Sequence, residues 1–363
     1  MVWLTLLLVM SHAMCCGIVP PFKVRNTYST GLIWSQGITA RRVLSSTTRG
    51  AGFTFYTIRD RAGVSFVEME KKMAKKNMGV IVPLPTSHGM RCPALGPMHE
   101  HIKWLSCMHV SGVWILGTTG DFVHQSFADK KDILISLVPY TKARGLKTYS
   151  GVWDTDDYRI GELTKCAASV GADAVFAMTP IFSTVRDDEM YAYYARIAEY
   201  AGKCNMPLYL YNFPKHSSNQ ISGRALLLLL TDYPNVIKGI KDSSGDMKRI
   251  AELVRLSRGR DFTVLAGTNA KIIEARQVGA HGVVSSIANI SPELVYQAWE
   301  YREEDKQELV AKEAEIIAEY GGPTAIIVWL QRWGLAGQIS FPRFSMNTKR
   351  REAFFQKMSA ICN

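Results

Sequence analysis

The chain has 363 residues, 47% hydrophobic and 21% charged, a balance that suits one large or two smaller globular domains rather than a disordered or membrane-spanning protein. Its formal charge of +11 points first to nucleic acid, but residues 1–65 hold Lys23, Arg25, Arg41, Arg42, Arg49, Arg59 and Arg61 against Asp60 alone, so that segment contributes +6 and the remainder only +5. That is too little for a phosphate-binding face, and no nucleic-acid partner is expected.

The segment before Asp60, including TARRVLSSTTRGAG, is rich in Arg, Ser and Thr, the composition of an organelle transit peptide. Residues 1–75 are therefore expected to be a targeting or disordered extension, with a mitochondrial destination. Two other readings stay open. The apolar run VWLTLLLVM followed by Ser11-His12-Ala13 resembles a secretory signal, although its n-region lacks Lys or Arg, and a mispredicted start would leave a cytoplasmic protein. The run falls short of the roughly 20 residues a bilayer requires, so no membrane span is expected. The seven cysteines (Cys15, Cys16, Cys92, Cys107, Cys166, Cys204 and Cys362) include no CxxC pair, which argues against a disulfide framework or a structural zinc site.

From Met78 onward, short β-rich apolar runs alternate with longer segments of helical pattern. The runs are GVIVPLPT (79–86), GVWILGTT (112–119), KTYSGVW (147–153), AVFAMTP (174–180), PLYLYNF (207–213), VIKGIKDS (236–243), FTVLAG (262–267) and GVVSSIA (282–288). Near-continuous apolar strands are buried on both faces, as in a parallel sheet covered by helices. Eight βα units in about 220 residues predict an α/β fold, a (β/α)8 TIM barrel over 76–299, more strongly than a doubly wound sheet, and no GxGxxG follows the first strand. Residues 300–363 are expected to add C-terminal helices packed on the barrel, beginning with one or two from SPELVYQAWEYREEDKQELVAKEAEIIAEY.

Chemistry in such a barrel sits at the C-terminal ends of the strands. Strand two ends in Thr118-Thr119-Gly120-Asp121, strand five in Tyr211-Asn212-Phe213-Pro214, strand six in Lys241-Asp242-Ser243-Ser244-Gly245-Asp246 and strand seven in Gly267-Thr268-Asn269. Lys241 is the lysine well inside a strand. Burial depresses a lysine pKa, and a neutral amine attacks a ketone to form a Schiff base that serves as an electron sink for the neighbouring C–C bond. The bland reading is a lysine paired with Asp242 or Asp246. A phenol at Tyr211 can shuttle the proton that this chemistry needs, with the Thr118 hydroxyl as relay. Thr119 and Gly120 suit a carboxylate cradle, or else an ordinary tight turn in which the glycine supplies a positive φ. Asn212 and Pro214 read as scaffold, and Ser126 as a helix N-cap. His99-Glu100-His101 is not HExxH and is expected on a surface helix, so no metal site is assigned.

GTTGD (117–121), YNFP (211–214) and GIKDSSGD (239–246), in this order and on these strands, resemble the dihydrodipicolinate synthase and N-acetylneuraminate lyase family of class I, pyruvate-dependent aldolases. The resemblance extends from about Gly79 to about Met346. It implies Lys241 as Schiff-base nucleophile, Tyr211 as acid/base, Thr118 as its relay partner, and Thr119 with Gly120 as the pyruvate carboxylate site. It further implies no metal and no cofactor beyond the covalent imine on Lys241, and a homo-oligomer, dimer or tetramer. Further substrate contacts are expected from His216, Gly267, Thr268 and Val284.

This chain departs from the family in ways that bear on substrate. Dihydrodipicolinate synthases carry an arginine two residues past Y-N-x-P, where this chain has His216, and those enzymes and the neuraminate lyases carry acidic residues after strand seven, where it reads Gly267-Thr268-Asn269-Ala270. KDSSGD and DFTVLAG resemble instead the branch that cleaves 4-hydroxy-2-oxoglutarate or 2-oxo-3-deoxy sugar acids. The leading expectation is a lyase that reversibly splits such an acid into pyruvate and an aldehyde. The alternatives are dihydrodipicolinate synthase-type or neuraminate lyase-type activity, and a paralogue that binds an oxo acid without turnover. The last is prompted by Phe182, which stands where the family commonly has a relay tyrosine and cannot donate a proton.

Overall fold

Near-continuous apolar runs form the strands, and they close on one another. The computed structural model describes residues 77–89, 92–339, 342–343 and 345–362; the expected extension, residues 1–75, lies outside the described residues. In chain order the elements are β1 (Gly79–Pro83), α1 (Leu95–Leu105), β2 (Gly112–Ile115), α2 (Phe127–Lys142), β3 (Lys147–Gly151), α3 (Asp157–Ser169), β4 (Ala174–Met178) and α4 (Asp187–Lys203). Then come β5 (Leu208–Asn212), the single turn α5 (Pro214–Ser217), α6 (Gly223–Asp232), β6 (Ile237–Asp242), α7 (Met247–Ser257), β7 (Thr263–Ala266), α8 (Ile272–Gln277) and β8 (Gly282–Val284). The helices α9 (Pro292–Glu300), α10 (Glu304–Glu319), α11 (Pro323–Gln331) and α12 (Thr348–Cys362) follow. All eight strands are parallel and β8 pairs with β1, so the sheet is a closed barrel with C-terminal helices, as expected.

Every residue of β4 and β5 is buried, the signature of a parallel sheet covered by helices. The barrel interior is aromatic. Tyr149 and Tyr209 meet Phe176 at 5.5 and 4.9 Å between ring centroids, Phe176 meets Trp114 at 4.9 Å, and Trp114 meets Tyr211 edge-on at 5.0 Å. Small residues make room for this stack: a Cβ on Gly239 would fall 2.3 Å from the Tyr209 ring. The rings therefore form a packed column that ends at the mouth, under β5 and β6.

Two local readings are resolved, one of them as a correction: His101 is not on a surface face. The SPELVYQ segment forms two helices because Arg302, at φ 59, breaks the path between α9 and α10. His99-Glu100-His101 lies on α1, but His101 is buried, its Nε2 3.1 Å from the Asn289 carbonyl, and burial lowers its pKa to about 4. Glu100 faces solvent and pairs with Lys103, and among the described residues no cluster of His, Cys, Asp or Glu could hold a metal ion. Ser126 caps α2 as expected, accepting from the Asp129 N–H at 3.1 Å. No helix among the described residues is long and apolar enough to cross a membrane.

Candidate active site

Register brings the two central groups together. In β5–β6 pairing Tyr211 stands opposite Lys241 and Asn212 opposite Asp242, and paired residues of parallel neighbours project to the same face. Lys241 and Tyr211 therefore both point inward, while Asn212 donates to Asp242 at 2.7 Å and accepts from the Ile221 N–H at 3.0 Å, a scaffold role.

Lys241 is 6% exposed, with Nζ 4.2 Å from the Trp114 ring centroid and 4.3 Å from that of Tyr211. The two carboxylates that could have neutralised it are engaged elsewhere. Asp242 accepts from Asn212 and from the N–H and hydroxyl of Ser244, and Asp246 caps α7 by accepting from the Lys248 and Arg249 N–H groups. Burial alone pushes the amine well below the ordinary lysine range. The ring faces favour the ammonium by about 0.5–2 kcal/mol, less than the several kcal/mol by which burial disfavours it.

The Tyr211 hydroxyl lies 2.9 Å from Thr118 Oγ1. Burial raises the Tyr211 pKa far above the usual phenol, and Thr118 and Ser243 oppose that shift only in part. The phenol therefore rests protonated, and its hydrogen bond to Thr118 offers a path for proton exchange along the hydroxyl pair.

Thr118 belongs to a turn bracketed by two non-glycine residues in the left-handed region, Leu116 at φ 59 and Asp121 at φ 53. Gly120 is not one of them, which removes the positive-φ explanation for it. Its lack of a side chain lets the turn approach the segment that follows β1, since a Cβ there would sit 2.9 Å from the Leu84 carbonyl oxygen and 3.1 Å from Thr86 Oγ1. Among the described residues no backbone acceptor takes the Thr119 or Gly120 N–H, so two backbone donors stand open at this turn beside the Thr119 hydroxyl.

The other expected contacts divide. Gly267 abuts the lysine, because a Cβ on it would fall 2.8 Å from Lys241 Cε and 2.0 Å from Ser243 Oγ. Thr268 accepts from the Lys271 N–H at 3.2 Å, a turn contact. Val284 is buried at the end of β8, opposite Ile81 of β1. His216, on α5, packs edge-on against Phe213 at 4.4 Å, and burial, then Lys215, then Arg343 lower its pKa. Phe182 is fully exposed in the left-handed region, at φ 76. Sequence reading missed Trp114, which looks like any core aromatic in a strand, Ser243, and Arg343, whose Nη2 lies 3.1 Å from Asp121 Oδ1. The doubled serine in KDSSGD was the available signal for Ser243.

Comparison with known proteins agrees with this geometry. A model of the dihydrodipicolinate synthetase family matches residues 97–320. The chain is 30% identical over 198 residues to 4-hydroxy-tetrahydrodipicolinate synthase of Persephonella marina, a stretch that covers 53% of this chain and 66% of that relative. Among solved structures, the wild-type sialic acid aldolase of Ruminococcus gnavus superposes with a TM-score of 0.73 at 19% identity, covering 79% of this chain and 97% of that one. The prophage protein YagE of Escherichia coli K12, solved in complex with pyruvate, superposes with a TM-score of 0.72 at 19% identity, covering 78% and 98%. At such identity these two structures speak to the fold. The family match spans more than half the chain, and together with the closed barrel and its inward lysine it makes this protein a member of the dihydrodipicolinate synthetase family.

Proposed function

We propose that the protein is a lyase that reversibly cleaves a hydroxylated 2-oxo acid, of the 4-hydroxy-2-oxoglutarate or 2-oxo-3-deoxy sugar acid type, to pyruvate and an aldehyde through an imine on Lys241. The observation that carries this reading is a buried lysine with no neutralising carboxylate, beside a phenol hydrogen-bonded to a threonine at 2.9 Å. The pyruvate complex of a structural neighbour supports pyruvate as the oxo acid.

The neutral Lys241 amine attacks C2 of the substrate, and Tyr211 delivers the proton with which the carbinolamine hydroxyl leaves as water. In the resulting iminium the C3–C4 bond breaks. Its electron pair flows to the iminium nitrogen, giving an enamine, while the C4 hydroxyl proton passes to the Tyr211–Thr118 pair as the aldehyde forms. The hydroxyl pair then returns that proton to C3 of the enamine, and one water adds to the iminium, giving a proton back to Tyr211 as pyruvate leaves and the amine is restored. The substrate carboxylate fits the open N–H groups of Thr119 and Gly120 and the Thr119 hydroxyl.

In this reading the protein works as a homo-oligomer, since Phe182 is an apolar ring in full solvent on a left-handed backbone, a conformation that a second copy of the chain would support. The composition of residues 1–65 supports mitochondrial targeting. Incubation with pyruvate and sodium borohydride, followed by peptide mass spectrometry, tests the chemistry. A reduced adduct on Lys241 is expected, whereas its absence from folded protein would overturn the proposal. An adduct without turnover of any aldehyde partner would favour the binding paralogue that Phe182 brings to mind.

A further inference from the structure

The mouth of the barrel is stitched to a segment far along the chain. After α11, Gln338 pairs with His88 through both backbone hydrogen bonds, at 2.9 and 2.6 Å, and the Gly337 N–H donates to Ser87 Oγ at 2.9 Å. Arg343 then reaches the turn after β2, where its Nη2 donates to Asp121 Oδ1 at 3.1 Å. The same oxygen meets His124 Nδ1 at 2.9 Å.

Two buried atoms at this contact are left over. Asp121 Oδ2 and Arg343 Nε both lie buried without a hydrogen-bond partner among the described residues. They are complementary, a carboxylate oxygen and a guanidinium N–H on the two members of one ion pair. The fork geometry of arginine takes a carboxylate through Nε and Nη2 together, so a small rotation of either side chain would satisfy both orphans at once. Buried polar atoms are rarely left unpaired, and two orphans on one pair share that single remedy.

What the pair holds is the turn that carries Thr118. That turn has left-handed residues at both ends, and the Asp121 N–H donates back to the Thr118 carbonyl at 3.1 Å, so Asp121 closes the loop that aims the Thr118 hydroxyl at Tyr211. A strained turn persists only where its surroundings over-determine it. We propose that Arg343 is a positioning residue: it latches onto Asp121 in a bidentate pair and thereby fixes the turn in the geometry at which Thr118 meets Tyr211. The catalytic consequence rests on the lyase reading above, whereas the latch itself does not.

The test therefore has two arms. Hydrogen exchange of the Asp121 amide, which the turn ties to the Thr118 carbonyl, measured without substrate, is expected to speed up in Arg343→Ala and nearly as much in Arg343→Lys, because one ammonium nitrogen cannot supply the two parallel N–H···O bonds of the guanidinium fork. Turnover of the cleavable 2-oxo acid in the same variants is expected to fall on the order of tenfold to a hundredfold in kcat, as for other small misplacements of catalytic groups. Asp121→Asn/Arg343→Ala should be no slower than either single change, as for residues that act as one unit. Unchanged exchange in Arg343→Ala would overturn the latch, and full recovery of exchange and kcat by Arg343→Lys would overturn its bidentate form. If the wild-type protein gives no borohydride adduct the lyase reading fails, and the exchange arm still decides the latch; a melting curve for each variant separates local loosening from global unfolding.

Discussion

Lys241 Nζ stands 4.2 Å from the centroid of the Trp114 ring. The ring offers a cation weak attraction and no counter-charge, a combination suited to the proposed chemistry. A carboxylate in that place would favour the ammonium and oppose attack, whereas an aromatic face leaves the burial-lowered proton affinity in place and would still tolerate the iminium cation of the proposed reaction. Burial without a counter-charge is what lowers the proton affinity of this lysine.

Removing that strain should stabilise the fold while abolishing chemistry. The unfolded amine titrates near 10.5 and the folded one well below, so between the two values the unfolded chain binds more protons and stability rises with pH. Lys241→Met is expected to give no borohydride adduct and to raise Tm by a few degrees at neutral pH. The gain should be full below the folded pKa and shrink as pH climbs toward 10.5, read from melting curves across that range.

Breaking the hydroxyl pair should slow proton transfer without emptying the site. Tyr211→Phe is expected to lower kcat by about 10²–10⁴-fold, the usual worth of a general acid–base group. Thr118→Val, which leaves the phenol in place, should cost less. Single-turnover kinetics of imine formation would check this, and equal losses in binding and chemistry would argue against a relay.

Gly267 makes a sharper test of packing. Gly267→Ala would set a methyl 2.8 Å from Lys241 Cε and 2.0 Å from Ser243 Oγ, so Ser243 must turn and the lysine stem must shift. The expected destabilisation is about 1–3 kcal/mol, typical of overpacking. The rate of adduct formation should fall more than in a control alanine placed at Gly96, where no atom lies within 4 Å of the added Cβ.

Acid should loosen the protein through His101. Its folded pKa of about 4 lies below the unfolded 6.5, so the unfolded chain binds the extra proton between those values and stability falls as pH drops through that window. A shift of this size is worth about 3 kcal/mol at full effect. Denaturant titrations at steps from pH 7 to 4 should show the slope, and His101→Gln should flatten it.

All eight strands were legible because a doubly buried parallel strand must be apolar along its whole length. Each ended one to four residues earlier than its apolar run; β2, for instance, stops at Ile115 because the left-handed Leu116 turns the chain out of the ladder. The lysine at the centre of the candidate site was legible too, since a lysine in an apolar strand is costly enough to stand out. Trp114 and Arg343 were present in the sequence but mute, and Asp121 was placed at the mouth without its partner, because nothing local says what they touch.

The sequence by itself determined the (β/α)8 periodicity, the mouth clusters and the chemistry that Lys241, Tyr211 and Thr118 can perform, since these follow from local pattern and residue type. Only the tertiary structure decided that Tyr211 faces Lys241 across β5–β6, that Trp114 floors the lysine, that the Asp242 and Asp246 carboxylates turn away, and that Arg343 reaches Asp121 across 222 positions of chain. Apolar periodicity states that a side chain is buried, but the partner it meets is set by register and closure, which depend on every strand at once.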